Sequence, residues 1–195
     1  MLRPRPWPIL ALVLAAALTG LSGAQLHAQT VVGDSAEFAA WRQVQQHDIE
    51  GMRKKFMALA RAVPAGKLAW RPMEGTRSFR EVFAHIAAEG NTETGMFGRP
   101  LPAGSLADFD AEEARLGKLT DDEVIAAMDR GMQSLSATMG GLSRATITTP
   151  IRYYGQSTLP RVAVTYTLND LHEHLGQLVA YARMNSIVPP WSRKG

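Results

Sequence analysis

The chain has 195 residues, of which 46% are apolar, 20% are charged and none is cysteine. This is one domain's length of chain with enough apolar side chains for a core. It excludes a disordered protein, a collagen-like repeat and a disulfide scaffold, along with a thiol nucleophile, an iron–sulfur centre and any zinc site that needs cysteine.

The formal net charge is +3, but Arg3 and Arg5 lie in a segment expected to be removed. Without them the 21 basic side chains fall to 19 against 18 acidic ones. A near-neutral chain offers no electrostatic case for nucleic acid as a partner. Met1 to Pro8 carries those two arginines and no acid, Ile9 to Ala24 is an apolar run, and small residues punctuate it at Ser22-Gly23-Ala24 and again at Ala28. This is the layout of a secretory signal peptide, with cleavage expected after Ala24 or, preferably, Ala28. The division is then a signal peptide over 1–28 and one domain over 29–195. The run is short for a membrane-spanning helix; an uncleaved anchor is the alternative, and no stable anchor is expected after cleavage. The product is expected to be exported, either periplasmic or secreted.

Four helices follow in chain order. From Ser35 to Val63 apolar residues recur at helical spacing (Phe38, Trp41, Met52, Phe56, Leu59, Val63), with Asp34 or Ser35 as cap and Pro64-Ala65-Gly66 as stop. A connector spans Lys67 to Arg77. Ser78 with Glu81 three residues on is a capping box for the second helix, whose apolar face is Phe79, Val82, Phe83 and Ile86. Gly98 to Asp108 is expected to be a loop. Thr120 with Glu123 makes another capping box, for a third helix that ends at Gly140-Gly141. Thr146 to Thr158, β-branched and turn-rich, is expected to be a long crossover loop. The last helix is placed from about Leu159 to Asn185. Four amphipathic helices with two long connections predict an all-α four-helix bundle, and most of the methionines fall at helical spacing as core filling.

Bundles place ligand and metal sites between facing helices, so polar residues beside the apolar stripes are the candidates. On the last helix Asp170, His174, Gln177 and Tyr181 stack on one flank of the stripe. His172 lies about 200° around from His174, so a regular helix cannot chelate one ion with both histidines, whereas Asp170 and His174 can share one. His85 sits at the edge of the second helix's apolar face with Glu89 one turn on. On the first helix His47 is expected to be exposed, while Asp48 falls near the stripe and is a candidate because an unpaired buried carboxylate is costly. An Asp/His pair one turn apart is a weak signal that needs a third ligand from another helix.

Three stretches carry a resemblance. They are Trp70-Arg71-Pro72 with Gly75-Thr76-Arg77-Ser78-Phe79-Arg80-Glu81-Val82, then Phe83-Ala84-His85-Ile86-Ala87-Ala88-Glu89-Gly90-Asn91, and Asn169-Asp170-Leu171-His172-Glu173-His174-Leu175-Gly176-Gln177 followed by Tyr181-Ala182-Arg183 and Val188-Pro189-Pro190-Trp191. Together they resemble the DinB-like (DinB/YfiT-like) metalloenzyme family over residues from about 36 to 191. The resemblance implies an up-down-down-up bundle and a divalent metal held by three histidines, one on the second helix and two on the last. The match places the first on His85 and the last on His174. The remaining position is Asp170, where many relatives have histidine. Three outcomes stay open: Asp170 completes a two-histidine, one-carboxylate site, His172 is recruited by distortion, or metal binding is lost. Helical geometry favours the first. Such a site suits zinc, nickel, iron or manganese and leaves positions for water and substrate.

Two functions are expected on this basis. One is a metal-dependent hydrolase or thiol-transferase-like enzyme acting on a small molecule, with Asp48 or Glu89 as general base or supporting partner and Tyr181 or Gln177 orienting the ligand. Export argues against a cytosolic thiol as co-substrate. The other is a non-catalytic bundle that binds a ligand or serves a structural role, with a degenerate metal site. A homodimer is a further expectation from the resemblance, with Trp41, Trp70, Trp191 and Tyr153-Tyr154 as contact candidates.

Overall fold

A computed structural model describes residues 23–193, with side chains from residue 36 onward. Residues 1–22, and with them most of the expected signal peptide, lie outside the described residues. The chain is built from α1 (Gly23–Ala62), α2 (Phe79–Met96), α3 (Phe109–Leu116), α4 (Asp121–Gly140), α5 (Arg144–Thr148), β1 (Ile151–Tyr153), β2 (Gln156–Thr158) and α6 (Pro160–Met184). Among the described residues no helix is long and apolar enough to cross a membrane.

The long helices begin where their caps say. The Ser78 and Thr120 side chains each accept from the backbone N–H three residues on, and Glu81 and Glu123 reach back to the cap N–H. Each such cap is worth about 1 kcal/mol. At α1 the expected cap is not used, because the backbone is already helical from Gly23. A capping side chain starts a helix only where the chain before it leaves helical dihedrals, and no proline interrupts the segment up to Val63.

The core is shared by four helices: Ile49, Met52, Phe56 and Leu59 of α1, Phe79, Val82, Phe83 and Ile86 of α2, Val124, Met128, Met132 and Leu135 of α4, and Val164, Leu171 and Leu178 of α6. Cross-helix pairs give the directions. Arg80 bonds Asp121 while Gly90 abuts Gly131, so α2 and α4 run parallel. Arg42 bonds the Leu142 carbonyl and Arg53 pairs with Asp129, so α1 and α4 are antiparallel. His85 meets His174 while Glu93 meets Thr167, so α2 and α6 are antiparallel. The order is up-down-down-up.

Gly90 is where α2 and α4 touch. A Cβ on it would sit 2.5 Å from the Gly131 carbonyl carbon, so the crossing admits no side chain there.

Two connections hold more structure than their composition suggests. The stretch after Gly98–Asp108 contains α3, capped by Asp108, whose carboxylate accepts from Ala111 N–H at 2.9 Å. Only Glu112 and Leu116 of α3 are buried, too few for a periodic signal. The expected crossover loop Thr146–Thr158 contains the end of α5 and an antiparallel hairpin in which Ile151 pairs with Thr158 and Tyr153 with Gln156. Its two-residue turn, Tyr154-Gly155, has both φ angles positive, +44° and +78°. Such a turn matches the twist of the flanking strands but strains a tyrosine.

Several aromatic residues named as dimer contacts are used within the chain. Trp70 packs against Phe79 and Tyr181, Trp41 stacks on Phe38, and Tyr153 is buried. Trp191 is 42% exposed.

Candidate metal centre

On α2, His85, Glu89 and Glu93 recur every four residues and form one line. On α6, Thr167, Asp170 and His174 form another. The antiparallel packing of the two helices turns these lines into three rungs: His85 with His174, Glu89 with Asp170, and Glu93 with Thr167.

At the first rung the two imidazoles lie edge to face, with centroids 4.7 Å apart. Each is oriented from behind through Nδ1. His85 Nδ1 donates to Glu113 Oε1 at 2.9 Å, and Glu113 is itself paired with Arg77. His174 Nδ1 donates to Gln177 Oε1 at 3.0 Å, while Gln177 Nε2 donates to the Tyr181 hydroxyl at 2.8 Å. A bond at Nδ1 leaves Nε2 as the lone-pair nitrogen. Both Nε2 atoms point at carboxylates. His85 Nε2 is 3.3 Å from Glu89 Oε1, and His174 Nε2 is 3.4 Å from Asp170 Oδ2 and 3.9 Å from Glu89 Oε1.

One donor atom from each of His85, Glu89, Asp170 and His174 lies within 4.8 Å of all the others. The charges press on one another. Burial pushes the Glu89 carboxyl well above the ordinary carboxylate range, and the hydrogen bond and charge of Asp170 add to this. Asp170 is held well below that range, chiefly by the His174 imidazole beside it. Burial works against charge on His174, yet the neighbouring Asp170 carboxylate and the hydrogen bond to Gln177 raise its pKa. His174 Nε2 and Glu89 Oε2 are buried without hydrogen-bond partners. Unpaired polar atoms of this kind are rare in folded proteins and call for an explanation. Two imidazole nitrogens and two carboxylates, with the histidines held from behind, fit a divalent ion.

Above this group stands a second buried acid. Glu93 is 2% exposed and accepts from Thr167 Oγ1 at 2.6 Å, from the Tyr153 hydroxyl at 2.7 Å and from the Tyr154 hydroxyl at 3.2 Å. Burial pushes its pKa up to about 7 against those three hydrogen bonds. The hairpin is thus fastened to α2 through one carboxylate. A cavity of about 560 Å³ opens over both layers, between α2, Phe109, the hairpin tyrosines and α6.

The sequence profile of the DinB superfamily matches residues 48–178, which include all four of these donors. The chain belongs to the DinB superfamily. No curated protein matches it. The all-α DinB fold is therefore the frame in which the cluster sits.

The sequence candidates distribute as follows. His85, Asp170 and His174 lie together, and Glu89 is the fourth residue of the same group. Tyr181 lies behind His174, separated from it by Gln177. Asp48 is elsewhere. Its carboxylate is 3.0 Å from His172 Nε2, and the two side chains are 40% and 50% exposed. The buried line of α1 runs through Ile49, Met52 and Phe56, which puts Asp48 on its flank. The same pair occupies His172 on the outer side of a regular α6. His47 is exposed. Glu93 and Glu113 were missed. For Glu93 a signal existed in the four-residue recurrence from His85. For Glu113 there was none, because α3 itself was not foreseen.

Proposed function

We propose that the chain is a divalent-metal protein in which His85, Glu89, Asp170 and His174 hold one ion, and that it acts on a small organic molecule bound in the cavity above. The observation that carries this is the orphaned pair of buried atoms, His174 Nε2 and Glu89 Oε2. His174 Nε2 comes within 3.9 Å of the same Glu89 carboxylate through Oε1, and both residues contribute a donor to the one four-residue group, where a cation would bind them. A bound divalent ion supplies Lewis acidity, which favours hydrolysis or nucleophilic substitution at a substrate atom. Zinc, nickel, iron and manganese all accept two nitrogens and two carboxylates.

The chain's own residues divide the remaining work. Glu113 and Gln177 hold the two imidazoles by Nδ1 and turn their Nε2 atoms inward. Phe109 and the hairpin tyrosines wall the cavity on one side and limit water. Glu93, with its proton affinity near neutrality, can take up or return a proton at its carboxylate, and the Tyr154 hydroxyl is its contact toward the cavity. Export to the periplasm or beyond belongs to the same proposal and is supported by the composition of the first 28 residues; amino-terminal sequencing of the mature protein tests it.

The experiment is elemental analysis of the purified chain after incubation with zinc, nickel, iron or manganese, for wild type, His85→Ala and Asp170→Ala. About one ion per chain, lost in both variants while the helical circular dichroism is kept, is expected. Retention in Asp170→Ala removes that residue from the ligand set. No ion in wild type under any condition refutes the metal proposal and leaves a ligand-binding bundle whose two histidines and carboxylates neutralise one another.

A further inference from the structure

The cavity over the four donors has a chemical character of its own. One wall is a run of aromatic rings in which Phe109 lies edge-on to His85 at 5.2 Å and to Tyr154 at 5.7 Å. Tyr166, 58% exposed, adds a ring from α6. Four carboxylates line the same space, those of Glu89, Glu93, Asp170 and Glu173, and among its described lining residues there is no lysine or arginine. One oxygen of Glu89, a residue only 5% exposed, is without a partner there. Glu173 is exposed, and no ion pair is formed by it among the described residues.

The charge count has a direction. A divalent ion among the four donors is matched by the carboxylates of Glu89 and Asp170, so it brings no surplus positive charge to the cavity. Glu173 then gives the mouth a negative potential, concentrated by the low-dielectric aromatic walls. An anionic molecule meets repulsion and finds neither lysine nor arginine among the described lining residues. A cation finds π faces and a carboxylate, the combination that recognises ammonium groups.

We infer that the cavity selects a positively charged, amine-bearing small molecule, with the ammonium group against Phe109, Tyr154 and Tyr166 beneath the Glu173 carboxylate and the reacting end toward His85 and His174. The inference rests on the cavity being the substrate site of the proposed metal centre.

Isothermal titration of the full chain with three probes of similar size tests it: benzyltrimethylammonium, benzyl alcohol and benzoate, each with and without zinc. Benzyltrimethylammonium is expected to bind about tenfold more tightly than benzyl alcohol, with benzoate the weakest. Glu173→Gln and Tyr166→Ala, both at exposed positions, are expected to lose most of that preference with zinc content unchanged. Benzoate binding as tightly as the cation, a preference indifferent to both substitutions, or no binding of any probe at millimolar concentration overturns the inference. Metal content after incubation with zinc, nickel, iron or manganese, read separately, decides the metal proposal. A metal-loaded chain that prefers benzoate sinks the substrate class alone, and a chain that takes up none of the four ions yet still prefers the cation sinks the metal alone.

Discussion

His174 donates from Nδ1 to Gln177 Oε1 at 3.0 Å, and that hydrogen bond decides which nitrogen of the imidazole is free to bind. Gln177 is held in turn by its own donation to Tyr181, a ring packed edge-on to Trp70 and Phe79. Gln177→Leu keeps the helix and the packing but removes the acceptor. Its affinity for a divalent ion is expected to fall about 10- to 100-fold, read by competition with a metal-sensitive dye. Glu113→Gln, at the matching position behind His85, is expected to weaken binding in the same direction. Unchanged affinity in both would remove the histidines' supporting bonds from the account.

Asp48 and His172 make a control. Their pair is half exposed and on the far flank of α6 from His174. Asp48→Asn should leave metal content at the wild-type value and change stability by less than about 1 kcal/mol. A loss of bound ion in this variant would show that Asp48 reaches the site after all.

Gly90 should tolerate nothing larger. Gly90→Ala forces a methyl to within 2.5 Å of the Gly131 backbone, so α2 and α4 must move apart beside Glu89. A loss of about 1–3 kcal/mol in urea unfolding is expected. Gly51 has open space around it, and Gly51→Ala is expected to gain up to about 1 kcal/mol from helix propensity.

Glu93 gives a pH signature. Its pKa rises from 4.5 to about 7 on folding, so between those values the native chain holds a proton that the unfolded chain has released. Its contribution therefore lowers stability as pH rises through this window, the reverse of a salt-bridged carboxylate. Glu93→Gln abolishes this. In metal-free chain, the wild type should lose roughly 2–3 kcal/mol more than Glu93→Gln between pH 5 and pH 8, measured by urea unfolding at each pH. Parallel pH profiles would mean that Glu93 is ionised throughout.

Much of the fold was legible in the sequence because its signals are local. Ser78 with Glu81 and Thr120 with Glu123 each close within one helical turn, and the spacing of Phe79, Val82, Phe83 and Ile86 marks a face without reference to any partner. The last helix was placed over Leu159–Asn185, and α6 has those two residues as its caps. The same locality sets the limit. Helix α3 is too short to show a period, and β1 and β2 are only three residues each. Their existence depends on what they are fastened to, above all the bonds of Tyr153 and Tyr154 to Glu93 some 60 residues away.

The sequence alone determined the helical class, the two capping boxes, and the one-turn spacing that puts Asp170 and His174 on the same line of α6. Tertiary structure alone decided the rest. It brought Glu89 in as the fourth donor, put Glu113 behind His85, buried Glu93 under the hairpin and sent Asp48 to His172. The physical reason is that a helix specifies which of its side chains share a face, while the partners of that face depend on the rotation and direction of its neighbours. Those were set by packing over the whole core, down to the absence of a Cβ at Gly90.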